Sequence, residues 1–230
     1  MTEQAPIYLF ADSQPLFLTK NGTPFLASIT EHITSDTIKA AYIGASNGDE
    51  PVFYEIFTAA MDSIGIHDCR MISALFEPED QAYLASADVI LLAGGDVTLG
   101  WKTFQAVGLE EAIRARHHAG AVLIGVSAGA IQLGMRALTS ETKAPETDII
   151  NTFQIIPFCI GAHEEADDWL GLKNLVTHTK GWRRGLGIPA GGALICYPDQ
   201  SFEALHQPIQ ELIYLEEGKV LKESLIIPER

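Results

Sequence analysis

Near the middle of the chain a serine stands between two glycines, in the run Gly125-Val126-Ser127-Ala128-Gly129. A hydroxyl becomes a nucleophile only when a base lies within hydrogen-bond reach and main-chain amides can receive the developing oxyanion. The flanking elements therefore matter as much as the residue. Ala121 to Ile124 is a short apolar run that predicts a strand buried on both faces, and Ala130, Ile131, Leu133 and Met135 follow at helical spacing. A strand that turns straight into a helix forces its apical residue into a cramped conformation, and the two glycines leave room for the chains to cross. Ser127 would then sit on the apex with its hydroxyl exposed. The helix starting there would aim unpaired N–H groups and the positive end of its dipole at the same spot, so that the Ala128 amide is placed to receive oxyanion charge.

The base must come from seven histidines. His117 and His118 close a predicted helix and His67 opens a strand, where solvated or capping roles are expected. His32, His178 and His206 lie in segments with no other chemistry nearby. His163 lies downstream of Ser127 in a loop that opens a helix, and is the candidate base; the alternative is that it and the acids after it merely begin that helix. Those acids, Glu164, Glu165, Asp167 and Asp168, either match the helix dipole or form, with Asp96, a substrate pocket for a basic side chain or free amino terminus. His163-Glu164 lacks the second histidine of H-E-x-x-H, so no metal is expected. The loop Gly44 to Asp49 has no lysine and is expected to form a wall of the site rather than a phosphate cradle. No cofactor is called for.

The elements that must hold these residues follow in a regular alternation. Strands are expected at Ile7–Phe10, Ile38–Ile43, Cys69–Ile72, Asp88–Ala93 and before Ser127, and helices after Phe25, Pro51, Pro78 and Trp101 and from Leu109 to Ala119. Strand, helix, strand, helix at this spacing implies right-handed crossovers, a mainly parallel sheet covered on both faces, and a site at the carboxyl ends of the strands. Beyond Met135 the pattern weakens: Arg136 to Asp148 is expected to be a loop, and Trp169, Leu172, Leu175 and Val176 mark an amphipathic segment. Leu186–Ile188, Ala193–Tyr197, Ile209–Leu215 and Lys219–Leu221 are expected to be short strands, several antiparallel, with a hairpin turn at Glu217-Gly218.

At 230 residues, one α/β domain spanning 1–230 is expected, with no Pro- or Ser-rich linker to divide it. A formal charge of −15 and a pI near 4.7 argue against nucleic acid and anionic membrane as partners, since both would repel it, so neither is expected. The N-terminus lacks a basic n-region with an apolar core, and no apolar run reaches the length of a membrane span, so a soluble cytoplasmic protein is expected. Cys69, Cys159 and Cys196 are sparse and unpaired in spacing, which fits reduced buried thiols. Homodimer formation is left open.

Taken together, Gly94-Gly95-Asp96 after an apolar strand, then Gly125 to Ala130 (GVSAGA), a loop histidine, and Leu186 to Gly191 (LGIPAG) resemble the serine peptidases of the peptidase E and cyanophycinase family. The resemblance runs from Ile7 to about Tyr197. It implies a three-layer, doubly wound, flavodoxin-like fold related to class I glutamine amidotransferases, with Ser127 as nucleophile on an elbow, His163 as base, and the Gly95 and Ala128 amides as oxyanion donors. The implied activity is hydrolysis of a dipeptide or related amide through an acyl-enzyme, the partner being a small peptide or amino-acid-derived substrate. Two departures accompany it. The family's third triad member is typically a glutamate in a segment similar to Gly187–Gly191, where this chain has Ala190; Glu164, Glu165, Asp199 or another acid then substitutes, or activity is weak or absent. The basic residues with which the family meets acidic substrates are replaced here by Glu164, Glu165, Asp167 and Asp168. The alternatives are a catalytically lapsed relative that binds an amino-acid-like ligand, and an α/β-hydrolase esterase sharing the elbow.

Overall fold

The computed structural model describes residues 4–139, 148–178, 183–215 and 220–228. In chain order its strands and helices begin with β1 (Ile7–Phe10), the short pair β2 (Thr19–Lys20) and β3 (Thr23–Pro24), β4 (Lys39–Ile43), α1 (Pro51–Asp62), β5 (Asp68–Ile72) and α2 (Pro78–Leu84). They continue with β6 (Val89–Leu92), α3 (Val97–Val107), α4 (Leu109–His118), β7 (Val122–Val126) and α5 (Ala128–Leu133). The remainder comprises β8 (Arg136–Leu138), β9 (Ile149–Asn151), β10 (Cys159–Ala162), α6 (Leu170–His178), β11 (Arg184–Ile188), β12 (Ala193–Cys196), β13 (Phe202–Leu205), β14 (Ile209–Leu215) and β15 (Val220–Ile226).

A seven-stranded sheet in the order β13-β12-β1-β7-β6-β4-β5 forms the centre. From β1 to β5 all neighbours are parallel, while β12 and β13 extend one edge antiparallel. The parallel strands are apolar along their length because both of their faces are covered. On one side Phe57, Ala60 and Met61 of α1 join Leu16, Leu26 and Ile29 against Tyr8, Tyr42 and Ile124. On the other, Trp101, Phe104, Ile113 and Leu133 from α3, α4 and α5 pack on Leu9, Ile90 and Leu123.

β4 is where the winding reverses: the chain passes from it to β5 on one side and later to β6 on the other. Loops that follow strands flanking such a point diverge and leave a crevice. Here those are residues 44–50 after β4 and 93–96 after β6. A flavodoxin-like order would place the first strand between the second and third parallel ones; instead β1 lies beyond β7. The segment between β1 and β4 contains two 3-10 stretches, Gln14–Phe17 and Phe25–His32, whose Leu16, Leu26 and Ile29 cover one sheet face.

The C-terminal half departs most from expectation. A second sheet, β10-β11-β14-β15, stands apart from the first, with β10 and β11 parallel and the rest antiparallel. α6 lies on it through Leu172, Leu175 and Val176, joined by Trp169 just before the helix. Gly187 permits this contact, since a Cβ there would lie 2.5 Å from the Trp169 ring. Arg136 to Asp148 is not wholly loop: Arg136–Leu138 pairs with Ile149–Asn151, bringing Thr139 N–H onto the Asp148 carbonyl at 2.8 Å. Strands of three residues are too short to carry a period. The Glu217-Gly218 turn lies outside the described residues, although Leu215 pairs with Val220 as a hairpin requires. Among the described residues no helix is long and apolar enough to cross a membrane.

Candidate active site

Ser127 links β7 to α5 with φ 50° and ψ −109°. Positive φ on a residue with a Cβ is strained, and it persists only where the surroundings over-determine it. Here Ser127 N–H is held by the Phe10 carbonyl of β1 at 2.9 Å, and Ile131 N–H bonds back to the Ser127 carbonyl at 3.0 Å. The flanking glycines serve the crossing that the sequence suggested. A Cβ on Gly129 would fall 2.1 Å from the Leu92 carbonyl oxygen of β6, and one on Gly125 would fall 2.7 Å from Ala130. The side chain is left half-buried at the carboxyl end of the sheet.

His163 arrives from the second sheet. It follows β10 directly, its N–H donates to the Ile188 carbonyl at the end of β11 (2.9 Å), and its own φ is 47°. This directs the exposed imidazole across to the first sheet, where Nε2 lies 2.8 Å from Ser127 Oγ. When that nitrogen is unprotonated the hydroxyl donates to it, the arrangement that general-base activation requires. β10 itself was missed in the sequence; the apolar run Cys159-Ile160-Gly161-Ala162 before His163 was its signal.

The Gly94-Gly95-Asp96 turn closes the third side. A Cβ on Gly94 would lie 3.3 Å from Ser127 Cβ, so the turn is in van der Waals contact with the apex. Among the described residues neither the Gly95 nor the Ala128 N–H donates to a main-chain or side-chain acceptor. The wall loop holds this turn: the Ser46 carbonyl accepts from Asp96 N–H at 2.7 Å, and Asn47 Nδ2 donates to the Gly94 carbonyl at 3.1 Å. Beneath it Gln132 of α5, fully buried, donates to Ser46 Oγ (3.1 Å) and to the Val97 carbonyl (3.0 Å). Neither Asn47 nor Gln132 was singled out from sequence; a lone amide on an apolar helix face was the available signal for the second.

The acids divide among structural tasks. Asp96 caps α3 by accepting from Leu99 N–H at 2.9 Å. Glu164 accepts from Leu172 N–H in the first turn of α6 (3.1 Å), and burial pushes its carboxyl above the usual range, against the lowering effects of that bond and of nearby His163. Glu165 reaches across to accept from Ala190 N–H at 3.1 Å. Asp199 accepts from Ser201 N–H and Oγ beyond the far end of β12, at the amino ends of the parallel strands, so it is excluded as a partner of His163. Among the described residues no carboxylate oxygen lies within 4.0 Å of a His163 ring nitrogen.

Other sequence candidates lie elsewhere. His67 pairs with Asp62 at 2.9 Å, and His178 Nδ1 contacts the Asn174 carbonyl at 2.8 Å. His117 is buried, not solvated: Nδ1 faces the Ala121 carbonyl at 3.3 Å and Nε2 faces the Gln4 amide nitrogen at 2.9 Å. Cys69 is only half-buried, whereas Cys159 and Cys196 are buried; desolvation pushes the Cys69 and Cys196 thiols up to about 11 and about 12, which makes them poor nucleophiles. A cavity of about 650 Å³ beside Pro6, His32, Arg116 and Pro198 opens at the sheet end opposite Ser127 and contains no nucleophile–base pair. Among the described residues no cluster of His, Cys, Asp or Glu could hold a metal ion.

Two solved structures share the fold. A peptidase from an acI-B1 Actinobacterium aligns with a TM-score of 0.73 at 17% identity, over 100% of this chain and 96% of its own. A Listeria monocytogenes EGD-e protein assigned to peptidase E aligns with a TM-score of 0.64 at 18% identity, over 87% and 98% respectively. A search of curated proteins returns no match. The sequence profile of peptidase family S51 matches residues 16–203, which include Gly95, Ser127 and His163, and the chain belongs to that family.

Proposed function

We propose that this protein is a serine-dependent amide hydrolase that cleaves a short peptide or amino-acid conjugate through an acyl-enzyme, with the β7–α5 turn as its nucleophile elbow. The contact that carries this is Ser127 Oγ to His163 Nε2 at 2.8 Å on a strained apex beside two undonated amides. In the first half-reaction His163 Nε2 takes the hydroxyl proton as Oγ bonds to the scissile carbonyl carbon. The carbonyl π electrons move to oxygen, and the Gly95 and Ala128 N–H groups receive the resulting charge. Collapse breaks the C–N bond, and His163 returns its proton to the departing amine. Water, deprotonated by the same imidazole, then attacks the ester and releases Ser127.

The loops at this end of the sheet carry Asp12, Asp49, Glu50, Glu77, Asp96, Glu164 and Glu165 and no lysine or arginine between residues 44–50, 93–96 or 163–169. Phe17, Val52, Phe53, Leu99 and Leu170 are exposed on the same rim. Such a surface suits a substrate with a free amino group or basic side chain beside apolar bulk, and disfavours an acidic one. Labelling by a fluorophosphonate tests the reading: it is expected in the wild type and lost in Ser127→Ala, and equal labelling of both proteins would refute it.

A second reading, that of a lapsed relative which binds an amino-acid-like ligand, draws on Ala190 and on the absence, among the described residues, of a carboxylate beside the His163 ring. Hydrolysis of any member of a dipeptide panel that disappears in Ser127→Ala rules it out.

A further inference from the structure

We infer that Asn47 is a positioning residue which sets the direction of the Gly95 oxyanion donor; the inference rests on the serine-hydrolase reading above. All peptides in the described chain are trans, so a carbonyl and the N–H that follows it point in opposite directions across one plane. Asn47 Nδ2 donates to the Gly94 carbonyl at 3.1 Å, on the wall-loop side of the turn. The Gly95 N–H must therefore point to the other side, toward Ser127, with which Gly94 is in contact. Were this one peptide to flip, the Gly94 oxygen would face the site and repel an oxyanion instead of stabilising it.

Among the described residues no other group bonds to the Gly94–Gly95 peptide. Glycine at both positions leaves the plane free to rotate, and Gly95 is obligatory: its φ is 137°, and a Cβ there would lie 2.1 Å from the Ser46 carbonyl oxygen. The Ser46 carbonyl fixes the next peptide through Asp96 N–H at 2.7 Å. Asn47 is itself held in one orientation. Its Oδ1 accepts from Glu50 N–H at 3.2 Å, and its Nδ2 also donates to Tyr42 Oη at 3.1 Å. Tyr42 is a neutral phenol at neutral pH, which burial reinforces by raising its hydroxyl above the ordinary value, and its oxygen can accept there. Oxygen toward Glu50 and nitrogen toward Gly94 is the only amide orientation that satisfies all three partners.

The test is Asn47→Asp, which keeps the shape and the acceptor for Glu50 N–H but replaces the donor with a carboxylate that repels the Gly94 carbonyl. Fluorophosphonate labelling rate and turnover of a dipeptide p-nitroanilide are measured beside wild type and Ser127→Ala. Expected are a fall in kcat and in labelling rate of about 10² or more, the scale of a lost oxyanion donor, with KM changed less than about threefold. Asn47→Ala, which removes the donor without adding charge, is expected to fall by about tenfold or more and serves if the Asp variant does not fold. Wild-type kcat in either folded variant, or a loss carried by KM alone, overturns the inference. Activity that survives in Ser127→Ala would instead sink the hydrolase reading.

Discussion

Gly95 and Ala190 show how much single positions decide. Gly95→Ala combines a backbone angle disfavoured for any L side chain with a collision against Ser46. It is expected to cost about 1–3 kcal/mol in urea unfolding and to suppress fluorophosphonate labelling by more than the loss of fold explains. Ala190 is exposed, and its N–H is already held by Glu165. A carboxylate introduced there meets a like charge. Ala190→Glu combined with Glu165→Gln, which keeps an acceptor for the amide, is expected to raise dipeptide kcat by about tenfold or more if an orienting acid is what His163 lacks. An unchanged kcat in the double variant would mean that the imidazole needs no carboxylate from that side. Sequence singled out Ser127 by a contiguous pattern and His163 only by elimination and resemblance; the fold brings these two side chains to 2.8 Å. It passed over Asn47, since an amide in a polar loop looks the same whether it binds solvent or a neighbouring turn.

At the scale of elements the site is a meeting of two sheets. The first supplies Ser127 on the β7–α5 turn and the Gly94–Asp96 turn after β6, and the second supplies His163 at the end of β10. The position of β10 is in turn set by β11 and by α6, just before which Trp169 rests on Gly187. Gly187→Ala should therefore act at a distance: about 1–3 kcal/mol of overpacking, read by urea denaturation, together with a lower kcat at unchanged Ser127 environment. A variant that loses stability but keeps wild-type kcat would show that the imidazole is located by its own strand alone. The parallel strands were legible because burial on both faces leaves an apolar run that no other element explains at that length. The two-sheet division was not, because β10 pairs with β11 and β11 with β14 across gaps in sequence that local pattern does not encode, the β14–β15 hairpin alone being local.

For the whole molecule, acidity and net charge make two expectations. Burial lowers the His117 pKa below its ordinary value, so the folded state favours the neutral ring, which Nδ1–H to Ala121 and Nε2 from Gln4 also satisfy. That contribution is fully present above the unfolded pKa of about 6.5 and is lost as pH falls below it, by at most about 1.4 kcal/mol per pH unit. Urea midpoints of the wild type should drop between about pH 7 and pH 5 more steeply than those of His117→Asn; parallel curves would count against it. The charge of −15 should favour cationic dipeptides at low ionic strength. Raising salt from about 0.01 M to 1 M, which shortens the screening length from about 30 Å to 3 Å, should narrow the kcat/KM ratio of N-terminal Lys over N-terminal Asp substrates. What the amino-acid order alone determined was the alternation of apolar strands and amphipathic helices, the serine on its turn, and the glycines that let chains cross there, because these are set by neighbours within a few positions. What only the tertiary structure decided was that β1 lies beyond β7, that a second sheet brings His163 to 2.8 Å from Ser127, and that Glu164 and Glu165 after it are tied to backbone amides and not to the imidazole. Those outcomes depend on packing between segments dozens of residues apart, whose energies are shared among many contacts and written in no single stretch.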